Sequence, residues 1–142
     1  MVAPHGVLCA SVITEKRSSA GRRWLVIDAG MNDLIRPALY AAKHRIDDLD
    51  GGPPDTRATS KGGARMWRVV GPVCESSDDF GDHPFAGTPT RVVIRDAGAY
   101  GFTMASQYNG RALPVEVFLS GGRIAGISRP RDVDAWVAER LA

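Results

Sequence analysis

Six short runs of β-branched and apolar residues, each closed by glycine, proline or a charged cluster, constrain this chain more than any other feature. They are residues 7–14, 24–28, 66–73, 91–95, 115–120 and 123–128. Runs of this length, bounded by turn residues, read as strands. Residues 15–23 are charged, contain Ser18, Ser19 and Gly21, and join the first two runs as a hairpin. Gly121 and Gly122 join the last two, because paired glycines accept the positive φ angles of a tight turn. Helical spacing occurs twice. Residues 34–42 place Leu34, Ile35, Ala38, Leu39 and Ala42 at helical intervals, with Asn32 or Asp33 as a cap and Pro37 near the first turn, so that helix is short. Residues 132–141 put Val133, Trp136, Val137 and either Arg140 or Leu141 on one face, behind Asp132 as N-cap. Strands and helices do not alternate as parallel β/α units would. The expected fold class is therefore mainly β, a Greek-key-like β-barrel or sandwich with two short helices. Two stretches carry no periodic signal: residues 46–64, a polar surface loop long enough to hide a short strand, and residues 75–89, turn-rich and acidic.

The 142 residues suit one domain with a real core. Eighteen basic against sixteen acidic side chains leave a formal charge of +2, too small to argue for nucleic acid or an anionic membrane. The basic cluster Lys16, Arg17, Arg22 and Arg23 falls at the expected hairpin turn and reads as a solvated face. No apolar stretch reaches the ~20 residues that span a bilayer, and the N-terminus lacks the pattern of a signal peptide. Cys9 and Cys74 could pair but imply no disulfide framework, so a reduced cytoplasm is expected. Cys9, inside an apolar run, reads as a small core residue. His5, His44 and His83 lack metal-ligand spacing, and no metal site is expected.

Three clusters carry chemistry. In the first, DAGMNDLIRPALY over residues 28–40, Arg36 and Tyr40 stand four apart, on one face of a helix. An arginine fork there can hold a carboxylate through two parallel hydrogen bonds. The second is GPVCESSD over residues 71–78, where a strand ends in Cys74 followed by Glu75. A thiol titrates near pH 8.5 and can donate a proton close to neutrality; Glu75 can receive an ammonium group. The third is DAGAYG over residues 96–101, followed by Tyr108 to Arg111, where small residues around Tyr100 permit close backbone approach. Each cluster also has a plain structural reading: a surface arginine beside a half-buried tyrosine, a buried strand-end cysteine before an acidic turn, a bend at a barrel corner.

Taken together, DAGMNDLIRPALY, GPVCES, DAGAYGFTMASQYNGR and PVEVFLSGG resemble, in order and wording, the C-terminal region of the diaminopimelate decarboxylases, from Val7 almost to the end of the chain. These are pyridoxal-phosphate enzymes of the alanine-racemase-like class. The resemblance implies a β-domain that works with a cofactor-binding β/α barrel, in dimers whose active sites lie at the interface. The implied reaction converts meso-diaminopimelate to L-lysine and carbon dioxide. It implies Cys74 as proton donor and Glu75 as a substrate contact, both reaching into a neighbouring protomer's site. Arg36 and Tyr40 are implied as substrate-binding, and Tyr100 as a contact to substrate and cofactor. Arg36 suits a substrate with a distal carboxylate, which ornithine lacks, and ornithine-type relatives tend to carry aspartate where this chain has Glu75. Ser77 departs from the glycine commoner at that position in the family.

The family's Schiff-base lysine and its phosphate-cradling motif belong to the barrel, and Lys16, Lys43 and Lys61 lack the context of a cofactor lysine. The chain is thus expected to be a β-domain without its barrel, with Met1 at a position internal to the ancestral gene. An uncovered sheet edge and apolar face, favouring self-association, follow from that expectation. Three functions compete: a catalytic domain that pairs with a barrel-containing chain or with a second copy; a non-catalytic partner or regulator of an intact decarboxylase; and a related decarboxylase with another diamino acid or carboxynorspermidine as substrate, against which Arg36 weighs.

Overall fold

A computed structural model of the chain describes residues 2–51, 63–130 and 133–142. Its centre is a six-stranded sheet formed by β1 (Leu8–Arg17), β2 (Arg23–Ile27), β3 (Ile46–Asp48), β4 (Arg65–Val70), β5 (Asp79–Phe85) and β6 (Arg91–Ile94), in the order β3-β6-β1-β2-β4-β5. All neighbours are antiparallel except β2 and β4. The parallel pair arises because the chain leaves β2 and returns to the same side only after residues 28–64, which pass through α1 (Arg36–Tyr40) and β3. Strand β1 serves two partners in succession: Leu8 to Ser11 pair with β6, and Val12 to Arg17 pair with β2, with a register shift between Val12 and Thr14. Such an irregularity bends a strand and deepens its twist, and here it curls the sheet until its edges β3 and β5 approach each other. The result is a nearly closed, barrel-like sheet, as the mainly β expectation required.

Alternation decides what fills the interior. Leu25 and Ile27 from β2, Trp67 and Val69 from β4, and Val92 and Ile94 from β6 are essentially inaccessible, and Ala10, Leu34, Phe80 and Phe85 complete the cluster. Because successive strand residues point to opposite faces, the inward place on β1 belongs to Ala10, and Cys9 points out. The core role expected for Cys9 is therefore corrected. Both cysteines are free.

Residues 75–89 conceal β5, which the acidic composition disguised. Asp79 and Asp82 are ion-paired to Arg68 of the neighbouring β4, its Nε 2.8 Å from Asp79 and its Nη1 2.9 Å from Asp82. Pro84 is tolerated because β5 is a sheet edge. Residues 46–64 likewise begin with a strand: in β3, Asp47 is buried between Arg45 Nε at 2.7 Å and Arg95 Nε at 3.0 Å. The rest of that stretch, from 52 to 62, lies outside the described residues. The expected helix over 34–42 contracts to one turn, since Leu34 is buried beneath it and Ala41 ends it in the left-handed conformation, φ 52°.

Strands β7 (Glu116–Ser120) and β8 (Arg123–Ser128) form the expected hairpin, with Gly121 and Gly122 at φ 56° and 75°. The hairpin stands apart from the main sheet and exposes Val117, Phe118, Leu119, Ile124 and Ile127. Helix α2 (Val133–Leu141) closes the chain, and of its expected apolar face Val137 and Leu141 are exposed. Asp132 and the side chains of Val133 and Trp136 lie outside the described residues. No described helix is long and apolar enough to cross a membrane.

Candidate functional site

The first two sequence clusters are loops that leave neighbouring strands, β2 and β4, at the same end, because those strands run parallel. Residues 28–35 wind tightly before α1. The Gly30 amide donates to Asp33 Oδ2 at 2.8 Å, and the amides of Asp33 and Leu34 donate back to the Gly30 carbonyl at 2.9 and 3.1 Å. This turn buries Asn32, Asp33 and Leu34 and delivers Arg36 to the first position of α1. Arg36 is half-buried and Tyr40 exposed, and among the described residues no hydrogen bond or ion pair occupies either side chain. The guanidinium is thus available for a carboxylate.

Residues 71–78 form the second loop. Cys74 and Glu75 sit exposed at its tip, and the plain reading of Cys74 as a buried strand-end residue is excluded. The loop's base is closed by Asp78, whose carbonyl accepts from the Gly71 amide at 3.0 Å and whose carboxylate accepts from the Val73 amide at 2.6 Å. The other carboxylate oxygen accepts from the Met31 amide in the first loop, also at 2.6 Å, and Ser77 Oγ lies 3.3 Å from Met31 Sδ. Ser77, the departure from the family pattern, therefore sits at the seam between the loops.

The third cluster packs against the chain's own N-terminal turn. Tyr100 is exposed and takes a positive φ of 60°, a strained state for a residue of its size. The small residues beside it do admit a close backbone, but the backbone is the chain's own. A Cβ on Gly98 would lie 2.2 Å from the Val2 carbonyl oxygen, and the Ala97 and Gly98 amides donate to Gly6 and Ala3 at 2.9 and 3.1 Å. No hydrogen bond or ion pair among the described residues joins Tyr100 to Arg36, Tyr40, Cys74 or Glu75.

Three residues that the sequence clusters contain, but to which no role was assigned, hold this surface together. Tyr108 donates its phenol to Glu75 Oε1 at 2.5 Å, and the carboxylate beside it raises the phenol's pKa. Arg111 donates to the Asp28 carbonyl at 2.6 Å. Asp78 is 3% exposed, and burial raises its pKa against the opposing pull of the Val73 and Met31 amides and of Arg111. Asp33 is likewise raised by burial. The sequence signal for Tyr108 and Arg111 was their proximity to the third cluster; Asp78 looked like one more acid in an acidic turn.

Two cavities flank the surface. One, about 600 Å³, opens between α1 and β5 and includes Lys43, His44 and His83. The other, about 450 Å³, is largely apolar and runs from the N-terminal turn to β7. Neither is lined by Arg36, Tyr40, Cys74, Glu75 or Tyr100. Tyr40, Cys74, Glu75 and Tyr100 are instead exposed, and Arg36 is half-buried. A pyridoxal phosphate held through a lysine needs an enclosed amine, and Lys16 and Lys43 are both exposed, while Lys61 lies outside the described residues. The described residues do not by themselves build such a cradle. Among them no group of histidine, cysteine or carboxylate side chains could hold a metal ion.

Comparison with known proteins agrees with this architecture. Residues 4–98 match the family model described as "Pyridoxal-dependent decarboxylase, C-terminal sheet domain". A diaminopimelate decarboxylase of Helicobacter pylori is 41% identical over 143 aligned residues, which cover 98% of this chain and 33% of that protein. A crystal structure of a diaminopimelate decarboxylase superposes with a TM-score of 0.83 at 32% identity, covering 99% of this chain and 35% of the other. The Helicobacter pylori enzyme complexed with L-lysine gives a TM-score of 0.76 at 37% identity, covering 99% and 33%. The chain spans about a third of the length of the relatives it matches. On the match of its sheet and both loops, the chain belongs to the pyridoxal-dependent decarboxylase family, as the C-terminal sheet domain.

Proposed function

We propose that this chain supplies the substrate-gripping and proton-donating half of a diaminopimelate decarboxylase, which converts meso-2,6-diaminopimelate to L-lysine and carbon dioxide in the cytoplasm. The observation that carries the reading is the surface just described: a half-buried Arg36 whose side chain no hydrogen bond or ion pair occupies among the described residues, and an exposed Cys74–Glu75 pair on a braced loop, tied to the segment before Arg36 through Asp78. A second surface must cover them to form a site. The reading assigns that surface to a β/α barrel, from a homodimer partner or a separate barrel-containing chain, that also carries the pyridoxal phosphate.

Each side chain then has one task. Arg36 pairs with the distal carboxylate of the substrate, with Tyr40 four residues on along the same helix turn. Glu75 receives the distal ammonium, and Tyr100 abuts substrate and cofactor. In the assembled enzyme the pyridoxal ring supplies the electron sink for loss of carbon dioxide. The carbon that loses its carboxylate needs one proton, which Cys74 donates from Sγ; the thiolate regains a proton from water once the product leaves. A Helicobacter pylori relative complexed with L-lysine supports lysine as a molecule that this kind of site accepts. Arg36 favours a substrate with a distal carboxylate over diamino acids such as ornithine that lack it.

The test combines the chain with a barrel-containing partner and measures lysine formation from meso-diaminopimelate. Cys74→Ala is expected to lower turnover by roughly 10²–10⁴-fold, the usual worth of a positioned acid, without altering thermal unfolding. Unchanged turnover would remove Cys74 from its role. Absence of lysine with every barrel tried would favour a non-catalytic partner of an intact decarboxylase.

A further inference from the structure

We propose that Asp78 is a positioning residue that locks the Cys74–Glu75 loop to the segment that delivers Arg36, so that proton donor and substrate clamp keep one mutual geometry. The inference rests on the reading above, in which those three side chains meet substrate. Its own basis is the bonding of a carboxylate that is 3% exposed. One oxygen accepts the Val73 amide, directly before Cys74, at 2.6 Å; the other accepts the Met31 amide, 47 residues away in sequence, at 2.6 Å. From Met31 the path to the clamp is short and rigid. Gly30 is tied to Asp33 and Leu34, Leu34 is 1% exposed, and Arg36 begins the helix.

The surroundings are shaped around this carboxylate. A Cβ on Gly71 would fall 2.3 Å from Asp78 Oδ1, and one on Gly30 would fall 3.1 Å from the same atom. A third segment reinforces the clamp: Arg111 grips the Asp28 carbonyl, and Tyr108, three residues earlier, holds Glu75. Both groups that meet Asp78 are N–H donors, so an acceptor is required at each oxygen. Asparagine would turn its own NH₂ toward one of them. Neither Met31 nor Val73 belongs to the main apolar cluster, so the bond joins functional loops rather than sheet to sheet.

The test is nuclear magnetic resonance of the whole chain in two variants. Asp78→Asn keeps the side-chain volume and removes one acceptor. Gly71→Ala keeps the carboxylate and displaces it. In both, exchange of the Met31 and Val73 amide protons is expected to accelerate about tenfold or more, and their downfield resonances to move upfield. The alkylation rate of Cys74 should change by roughly threefold or more relative to Cys9, which serves as an exposed internal reference. Sheet amides at Leu25, Val69 and Val92 should keep their rates. If Asp78→Asn unfolds the chain, Gly71→Ala decides alone. Unchanged Met31 and Val73 amides would overturn the proposal. So would acceleration in step with the sheet amides, which would make Asp78 a general prop of the fold. None of these readouts needs turnover, so a chain that fails to decarboxylate with a barrel would refute the proposed function and leave the clamp standing.

Discussion

Replacing Gly98 with alanine should loosen the N-terminal turn from the loop that carries Tyr100, and leave the barrel intact. The added Cβ would lie 2.2 Å from the Val2 carbonyl oxygen, 2.8 Å from the Gly6 amide nitrogen and 3.1 Å from the Ala3 carbonyl oxygen. All three are backbone atoms, so no flexible side chain can swing away, and insertions of this kind into packed positions cost about 1–3 kcal/mol. The chain has a cheaper route. The segment is held here by two backbone bonds, Ala97 to Gly6 at 2.9 Å and Gly98 to Ala3 at 3.1 Å. At ~1 kcal/mol each they set a ceiling near 2 kcal/mol, beyond which the turn lifts off instead of straining. For a domain of this size that corresponds to a fall in melting temperature of about 4–8 °C. Amide exchange should show the amides of His5, Gly6, Ala97 and residue 98 losing protection together, while Leu25 and Val92 keep theirs. Wild-type protection at Ala97 and Gly98 in the variant would refute the argument, because it would mean that the gap accepts a methyl group.

Two further outcomes follow from the charged contacts. Tyr108 should ionise at a pH above that of an ordinary phenol, since the Glu75 carboxylate holds its proton; Glu75→Gln should lower that pH in an ultraviolet titration, and a Tyr108 titration unmoved by the substitution would contradict the bond. Asp47 has its pKa lowered in the fold: the hydrogen bonds and charges of Arg45 and Arg95 together outweigh desolvation, the largest single contribution, which acts in the opposite direction. A lowered folded value means that its stabilisation is fully present above the unfolded value of about 3.9 and is lost as pH falls through the folded one. Asp33 and Asp78, both raised by burial, act the other way: their contribution to stability grows as pH falls from their raised values toward about 3.9. Asp47→Asn should therefore flatten the acid side of the melting-temperature profile below about pH 4, and parallel profiles for wild type and variant would show that Asp47 carries no such linkage.

The candidate surface was legible only where chemistry and spacing were local. Arg36 and Tyr40 could be paired from their four-residue separation, and the thiol and carboxylate of Cys74 and Glu75 from adjacency. The bonds that make these a surface join residues far apart in the chain: Met31 to Asp78, Tyr108 to Glu75, Arg111 to Asp28. No periodicity announces such a contact. An acid in a run of acids looks solvated until the fold closes over it, and Asp78 is buried while its neighbours Ser76 and Ser77 are exposed.

The amino-acid order alone determined the elements whose stability is settled between near neighbours. The hairpin of β7 and β8 follows from two glycines that tolerate positive φ, the turn between β1 and β2 from Gly21, and the brevity of α1 from Pro37 and the residues around it. Tertiary structure alone decided the strands whose composition argues against them. Strand β5 exists because Arg68 neutralises Asp79 and Asp82 from the next strand, and β3 because Arg45 and Arg95 converge on Asp47. It also decided that Ala10 rather than Cys9 faces inward, and that β2 and β4 run parallel so that both candidate loops leave the barrel at one end. The physical reason is the same in each case: turn geometry is a property of two or three residues, whereas burying a charge depends on a partner that only the closed sheet brings near.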